Sequence, residues 1–176
     1  MKSEISKETC LILASVCAAI WSFDCAGTNW QGFSPQEAAL RLIPVHGFRD
    51  PGGVVYYPDR GTLFLVGDHG DIAELRADGK ILRRKHCGGD LEGIAYDPRT
   101  GLLYLAVEGV DEIWECDPGN FEVKRRFKID RAYRGDSDFL KAGGQGIEGI
   151  AFIPDSRHPE GGHILHCEPN GSPCSG

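Results

Sequence analysis

The feature that most constrains this chain is a repeat within it. Gly53 to Asp68 reads Gly-Val-Val-Tyr-Tyr-Pro-Asp-Arg-Gly-Thr-Leu-Phe-Leu-Val-Gly-Asp. At a shift of 40 residues Gly93 to Glu108 reads Gly-Ile-Ala-Tyr-Asp-Pro-Arg-Thr-Gly-Leu-Leu-Tyr-Leu-Ala-Val-Glu. Glycine, proline, glycine and the closing acid coincide. A third copy starts at Gly149-Ile150-Ala151-Phe152-Ile153-Pro154, 56 residues after Gly93, and continues with Ile164 to Glu168, the extra length being a loop. Each copy reads as an apolar strand, a proline-containing turn and a second apolar strand. In the first two copies a third strand follows, Asp71 to Leu75 and Glu112 to Cys116. Turns at Asp78-Gly79 and Pro118-Gly119 then lead to a more polar fourth, Lys80 to Arg83 and Phe121 to Lys124. Four antiparallel strands recurring at this period predict an all-β chain of β-propeller blades, over about residues 51–85, 90–128 and 146–176.

Two and a half blades do not make a ring, because propellers close with roughly four to eight. An open arc exposes sheet edges, so the remaining blades are expected from further sequence or from another chain. Composition agrees with a turn-rich β fold: Gly supplies 24 of the 176 residues. The formal charge of -7 gives no general attraction to nucleic acid or to an anionic membrane, which leaves a small molecule or a protein as the expected ligand.

Ahead of the repeats, Cys10 to Phe23 is a charge-free stretch of 14 residues preceded by Lys2 and Lys7. It is too short for a transmembrane helix, which needs roughly 20 apolar residues. It fits the apolar part of a secretory signal spanning 1–27, with Cys25, Ala26 and Gly27 at the cleavage site, and so predicts a secreted or periplasmic protein. The competing reading is a packed amino-terminal helix of a cytosolic protein, since Glu4 and Glu8 cancel the two lysines. Residues 28–50 form a lead-in, where Ser34-Pro35-Gln36-Glu37 resembles a helix start and Ala38 to Leu42, stopped by Pro44, predicts one short helix. Cleavage would leave Cys87, Cys116, Cys167 and Cys174, which suffice for up to two disulfides in any of three pairings.

Carboxylates recur where the first strand of a blade begins: Glu92 before Gly93 and Glu148 before Gly149, with Gly52 in the first copy. In a propeller this strand lines the axis, so Glu92 and Glu148, with Asp90 beside them, form a candidate site for calcium or another hard divalent cation. The alternative roles are accepting hydrogen bonds from the neighbouring blade's backbone and direct acid/base catalysis. Asp68, Glu108 and Glu168 close the second strand in every copy, and such repetition favours a structural role. The insertion before the third copy carries Arg131, Arg134 and Lys141, candidates for meeting an anionic ligand, with acids close by to pair them instead. Gly144-Gln145-Gly146-Ile147-Glu148-Gly149 leads into a strand and not a helix, which excludes a dinucleotide loop. Gly135-Asp136-Ser137-Asp138 lacks the second glycine of a nucleophile elbow.

With Asp90-Leu91-Glu92-Gly93-Ile94-Ala95 and Gly146-Ile147-Glu148-Gly149-Ile150-Ala151 the chain resembles the SdiA-regulated and phytase-like β-propeller families over about residues 50 to 168. It is more distantly similar to gluconolactonase-type propellers, whose channel holds a divalent metal bound partly by a Glu preceding a Gly. That resemblance again points to Glu92 and Glu148. The expectation is an exported propeller that acts as a binding or scaffold module with a calcium site. The alternative is a metal-dependent hydrolase of a phosphoester, ester or lactone.

Overall fold

A computed structural model describes residues 10–14, 40–129 and 147–167. The described residues are all β. Strands β1 (Cys10–Ala14) and β2 (Leu40–Pro44) pair antiparallel. Blade one is the meander β3 (Pro51–Tyr57), β4 (Thr62–Gly67), β5 (Asp71–Leu75) and β6 (Ile81–His86). Blade two is β7 (Asp90–Tyr96), β8 (Leu103–Glu108), β9 (Glu112–Asp117) and β10 (Glu122–Lys128). Both are four-stranded sheets in sequence order, and blade three begins with β11 (Gly149–Pro154) paired to β12 (Gly162–Cys167). Repeat and alternation thus become blades, each inner strand packing on the next, β3 on β7 and β7 on β11.

The expected helix in the lead-in is corrected over its second half: 40–44 is a strand. The period there is two and not 3.6, since Ile43 and Val45 are buried while Leu42 and Pro44 are exposed. Ile43 and Val45 turn inward, and Val45 and Phe48 complete a core cluster with Leu63, Leu65, Ala73 and Leu75 on the outer face of blade one. Residues 34–39 lie outside the described residues. The outer strands also run further than their alternation suggested, to His86 and Lys128. Their basic residues are held across the blade junction: Arg83 donates to the Pro118 and Gly119 carbonyls, and Lys85 Nζ to Phe121 O at 3.1 Å.

The junction of blades one and two is a continuous core in which Tyr57, Phe64 and Ile72 meet Leu91, Leu105, Trp114, Cys116 and Phe121. Phe64 and Phe121 stack edge to face at 5.9 Å. A buried carboxylate latches its rim. Glu74 accepts from Thr62 Oγ1 at 2.8 Å, from Arg60 Nη1 at 3.1 Å and from Arg83 Nε at 2.6 Å. Blade two repeats the device, Glu115 with Arg125, which also reaches Glu160 of blade three at 3.0 Å. The second junction joins Ala95, Tyr104, Ala106 and Ile113 to Ile147, Ile150 and Phe152. Beyond β12 it opens into a cavity of about 350 Å³ among Tyr104, Ile113, Phe127, Ile164 and His166.

Candidate metal centre

Antiparallel pairing brings the end of each second strand beside the start of each first strand. Asp90, opening β7, pairs with Glu108, closing β8. Asp68 stands at the same end of blade one, in the β4–β5 turn, which is pinned from two sides. Asp68 N donates to Asp50 O at 3.1 Å, and Cys87 N and Gly88 N donate to Gly70 O at 2.7 and 3.2 Å. Gly70 has a φ of 76°, and a Cβ there would lie 2.6 Å from the Gly88 carbonyl carbon, so only glycine lets the turn pass under the 87–89 connection. The turn therefore holds Asp68 of blade one against blade two.

Glu92 is aimed by a β-bulge. The β7–β8 register slips between Leu91 and Gly93, leaving Glu92 as the extra residue. Blade one has the same slip between Pro51 and Gly53, with Gly52 as the extra residue. The reason no acid stands at that position is steric: a Cβ on Gly52 would lie 2.4 Å from Leu91 O and 2.8 Å from Glu92 Cα.

Carboxylate oxygens of Asp68, Asp90 and Glu92 lie within 4.8 Å of one another. Asp90 Oδ1 is buried and has no hydrogen-bond partner. Burial, followed by the carboxylates of Asp68, Asp90, Glu148 and Glu108, pushes the Glu92 carboxyl up to about 7. Asp90 is raised by burial, Glu108 and Asp68, against the opposing pull of its hydrogen bond to Glu92 and of nearby His69. Three carboxylates from two blades, one with an orphaned oxygen, form a hard-oxygen set that suits a divalent cation. The cation would relieve both the repulsion and the missing bond.

Of the sequence candidates, Asp90 and Glu92 stand together in this group. Glu148 is exposed and outside it, near enough only for its charge to act on Glu92. Arg131, Arg134 and Lys141 lie outside the described residues. Asp68 is the residue that sequence reasoning assigned elsewhere. The repeat held the signal, because acids that close a second strand and acids that open the following first strand meet at one end of adjoining antiparallel blades. Nucleophilic chemistry by thiols has no support among the described residues. Cys116 and Cys87 are free; burial pushes the Cys116 thiol up to about 12 and raises that of Cys87. His69 Nε2 stands 3.3 Å from Asp50 Oδ2 at the exposed rim.

A protein-family model described as "Phytase-like: Esterase-like activity of phytase" matches residues 38–162. No curated protein matches the chain. Among solved structures, the glutaminyl cyclase of Myxococcus xanthus is similar with a TM-score of 0.56 at 15% identity, over 77% of this chain and 57% of that one. Virginiamycin B lyase of Staphylococcus aureus gives 0.49 at 15% identity, over 76% and 40%. Hydrazine synthase of Kuenenia stuttgartiensis gives 0.46 at 16%, over 74% and 38%. At such identities the first of these likenesses speaks for the fold alone. The chain spans 38 to 57% of the length of these proteins.

Proposed function

Because the chain belongs to the phytase-like family, we propose that it is an exported β-propeller module that binds calcium between blades one and two through Asp68, Asp90 and Glu92. The observation that carries this reading is the orphaned Asp90 oxygen inside a three-carboxylate group. Calcium takes 6–8 oxygens, so three carboxylates leave positions for water or for oxygens of a small-molecule or protein ligand. Further blades, from additional sequence or another chain, would complete the wall around the site. Export rests on the Cys10 to Phe23 run and is tested by sequencing the amino terminus of the protein recovered outside the cytoplasm.

The test of the site is thermal unfolding with calcium, with magnesium and with chelator. A cation held at 100 times its Kd stabilises the fold by about 2.7 kcal/mol. The expected result is a rise in Tm with calcium that Asp68→Asn and Glu92→Gln abolish. A wild-type Tm indifferent to every divalent cation overturns the reading.

A second reading, hydrolysis of a phosphoester, ester or lactone, is favoured by the family's esterase-like description. When bound, the cation supplies polarisation of the phosphoryl or acyl oxygen. Asp68, Asp90 and Glu92 would hold that cation where the ligand's oxygen can reach it. The discriminating assay follows hydrolysis of p-nitrophenyl phosphate and p-nitrophenyl acetate. Activity with calcium that chelator and Glu92→Gln both abolish supports this reading, and no turnover with calcium present removes it.

A further inference from the structure

Asp50 has a backbone conformation that its own sequence discourages. Its φ is 42°, in a region that side chains rarely adopt, although aspartate and asparagine do so more readily than most. It also precedes Pro51, and a residue before proline is biased toward extended backbone with φ of about −120°. Blade two has no such kink at the same place. At the shift of 40 residues, Asp50 and Asp68 correspond to Asp90 and Glu108, which are ladder partners in β7 and β8, neither with a positive φ. The β3–β4 ladder ends one pair earlier, at Pro51 and Gly67. Glu108 thus stays with the sheet of its own blade, whereas Asp68 lies beyond β4 and joins Asp90 and Glu92 of the next.

A disfavoured conformation persists where its surroundings hold it, and here they do so on three sides. Phe48 is buried against Leu63 and Leu65 and anchors the segment. Arg84 of β6 lies over the Phe48 ring at 5.4 Å, donates from Nη1 to Gly47 O and from Nη2 to Asp71 Oδ2, each at 2.5 Å, and so ties the segment to the far end of the Asp68 turn. A Cβ on Gly67 would lie 2.6 Å from Asp50 O and 2.9 Å from Arg49 O, so these carbonyls lie directly on β4. From that position Asp50 O accepts the Asp68 N–H at 3.1 Å, and Asp50 Oδ2 stands 3.3 Å from His69 Nε2.

We infer that Asp50 is the positioning residue of the candidate cation site: its positive φ sets the main-chain carbonyl on the Asp68 amide and so places the Asp68 carboxylate across the junction, with Asp90 and Glu92. The inference rests on the proposed calcium reading. Asp50 stands outside the three-carboxylate group and acts through Asp68, by its conformation and not by its charge.

The experiment pairs calorimetric titration of the full chain with calcium and hydrogen exchange at the Asp68 amide. Asp50→Gly and Asp50→Asn remove the charge and keep a positive φ accessible, whereas Asp50→Val blocks it, because a β-branched residue is a genuine outlier there. Asp50→Gly and Asp50→Asn should bind calcium within about twofold of wild type, and Asp50→Val about tenfold or more weakly, as when a residue behind a metal ligand is lost. The Asp68 amide should stay protected in the first two and exchange freely in Asp50→Val. Circular dichroism checks the β fold, and Asp50→Ala, a milder block, should fall between these variants if Asp50→Val does not fold. Ile150→Ala, destabilised elsewhere, should keep the wild-type affinity, which separates positioning from lost stability. An Asp50→Val or Asp50→Ala variant that binds as wild type does overturns the inference. So do Asp50→Gly and Asp50→Asn variants as weak as the blocked ones, which would assign the effect to the carboxylate. A wild type that binds no divalent cation while its Asp68 amide stays protected overturns the calcium reading itself, and the role of Asp50 with it.

Discussion

The motif Glu-Gly-Ile-Ala occurs twice, opening β7 and β11, and its two copies end in different surroundings. In β7, Ile94 and Ala95 are buried between blades, Gly93 abuts β11, and Glu92 sits on a bulge among carboxylates with its pKa near 7. In β11, Ile150 is half-buried, Ala151 and Glu148 are exposed, and Gly149 faces open space. The same four residues form the centre of a candidate site in one place and a bare flank in the other. What separates them is a neighbour on both sides against a neighbour on one.

The comparison is sharpened first through the core. Ile94→Ala should cost about 3 kcal/mol in urea unfolding, and Ile150→Ala only about 1 kcal/mol, because its side chain leaves less apolar surface to lose. Equal costs would show that the third blade packs as fully as the second. Next in size is the cation. Calcium at 100 times its Kd should add about 2.7 kcal/mol to wild type and to Glu148→Gln but nothing to Glu92→Gln; loss of the shift in Glu148→Gln alone would move the site to the other copy.

Smaller effects follow from shape. Gly93→Val drives a side chain into the β11 backbone, where a Cβ already comes 3.1 Å from Ile150 N, and should destabilise by about 2 kcal/mol. Gly149→Ala, where a Cβ meets nothing within 4 Å, should fall within about 0.5 kcal/mol of wild type. The smallest difference concerns pH. Glu92 is raised from its ordinary 4.5 to about 7, so the folded state of the cation-free protein favours the protonated form. That contribution is complete below pH 4.5 and disappears as pH rises through 7, lowering stability by roughly 1 kcal/mol once solvent screening is allowed for. The slope of Tm over this window should flatten in Glu92→Gln and persist in Glu148→Gln.

Much of the architecture was legible because β-blade periodicity is local. Alternation, proline turns and glycine positions repeat within 40 residues, and Asp71 to Leu75 is a strand with the bounds its pattern implies. The lead-in was misread as helical because a capping pattern is also local, whereas the pull of Val45 and Phe48 into a cluster with Leu63 and Leu65 is not. Glu92 and Asp90 were legible as candidates because they recur or adjoin a recurring acid. Their partner Asp68 comes from another blade, and its place depends on a turn locked under residues 87–89. The latch of Glu74 with Arg60 and Arg83 escaped notice because its members are spread over β5, the β3–β4 turn and β6.

By itself, then, the sequence determined the all-β class, the blade as the unit of construction and the place of Glu92 on the first strand of its blade, since each depends on contacts between strands close along the chain. Only the tertiary structure decided which acids share a site, why Gly52 carries no acid, and which inner-strand faces are covered. Those outcomes depend on how one blade lies against the next. Backbones packed so closely that a Cβ on Gly53 or Gly93 would lie about 3 Å from the next blade's backbone, and charges gathered across a junction, are properties of the packed sheets that no single repeat contains.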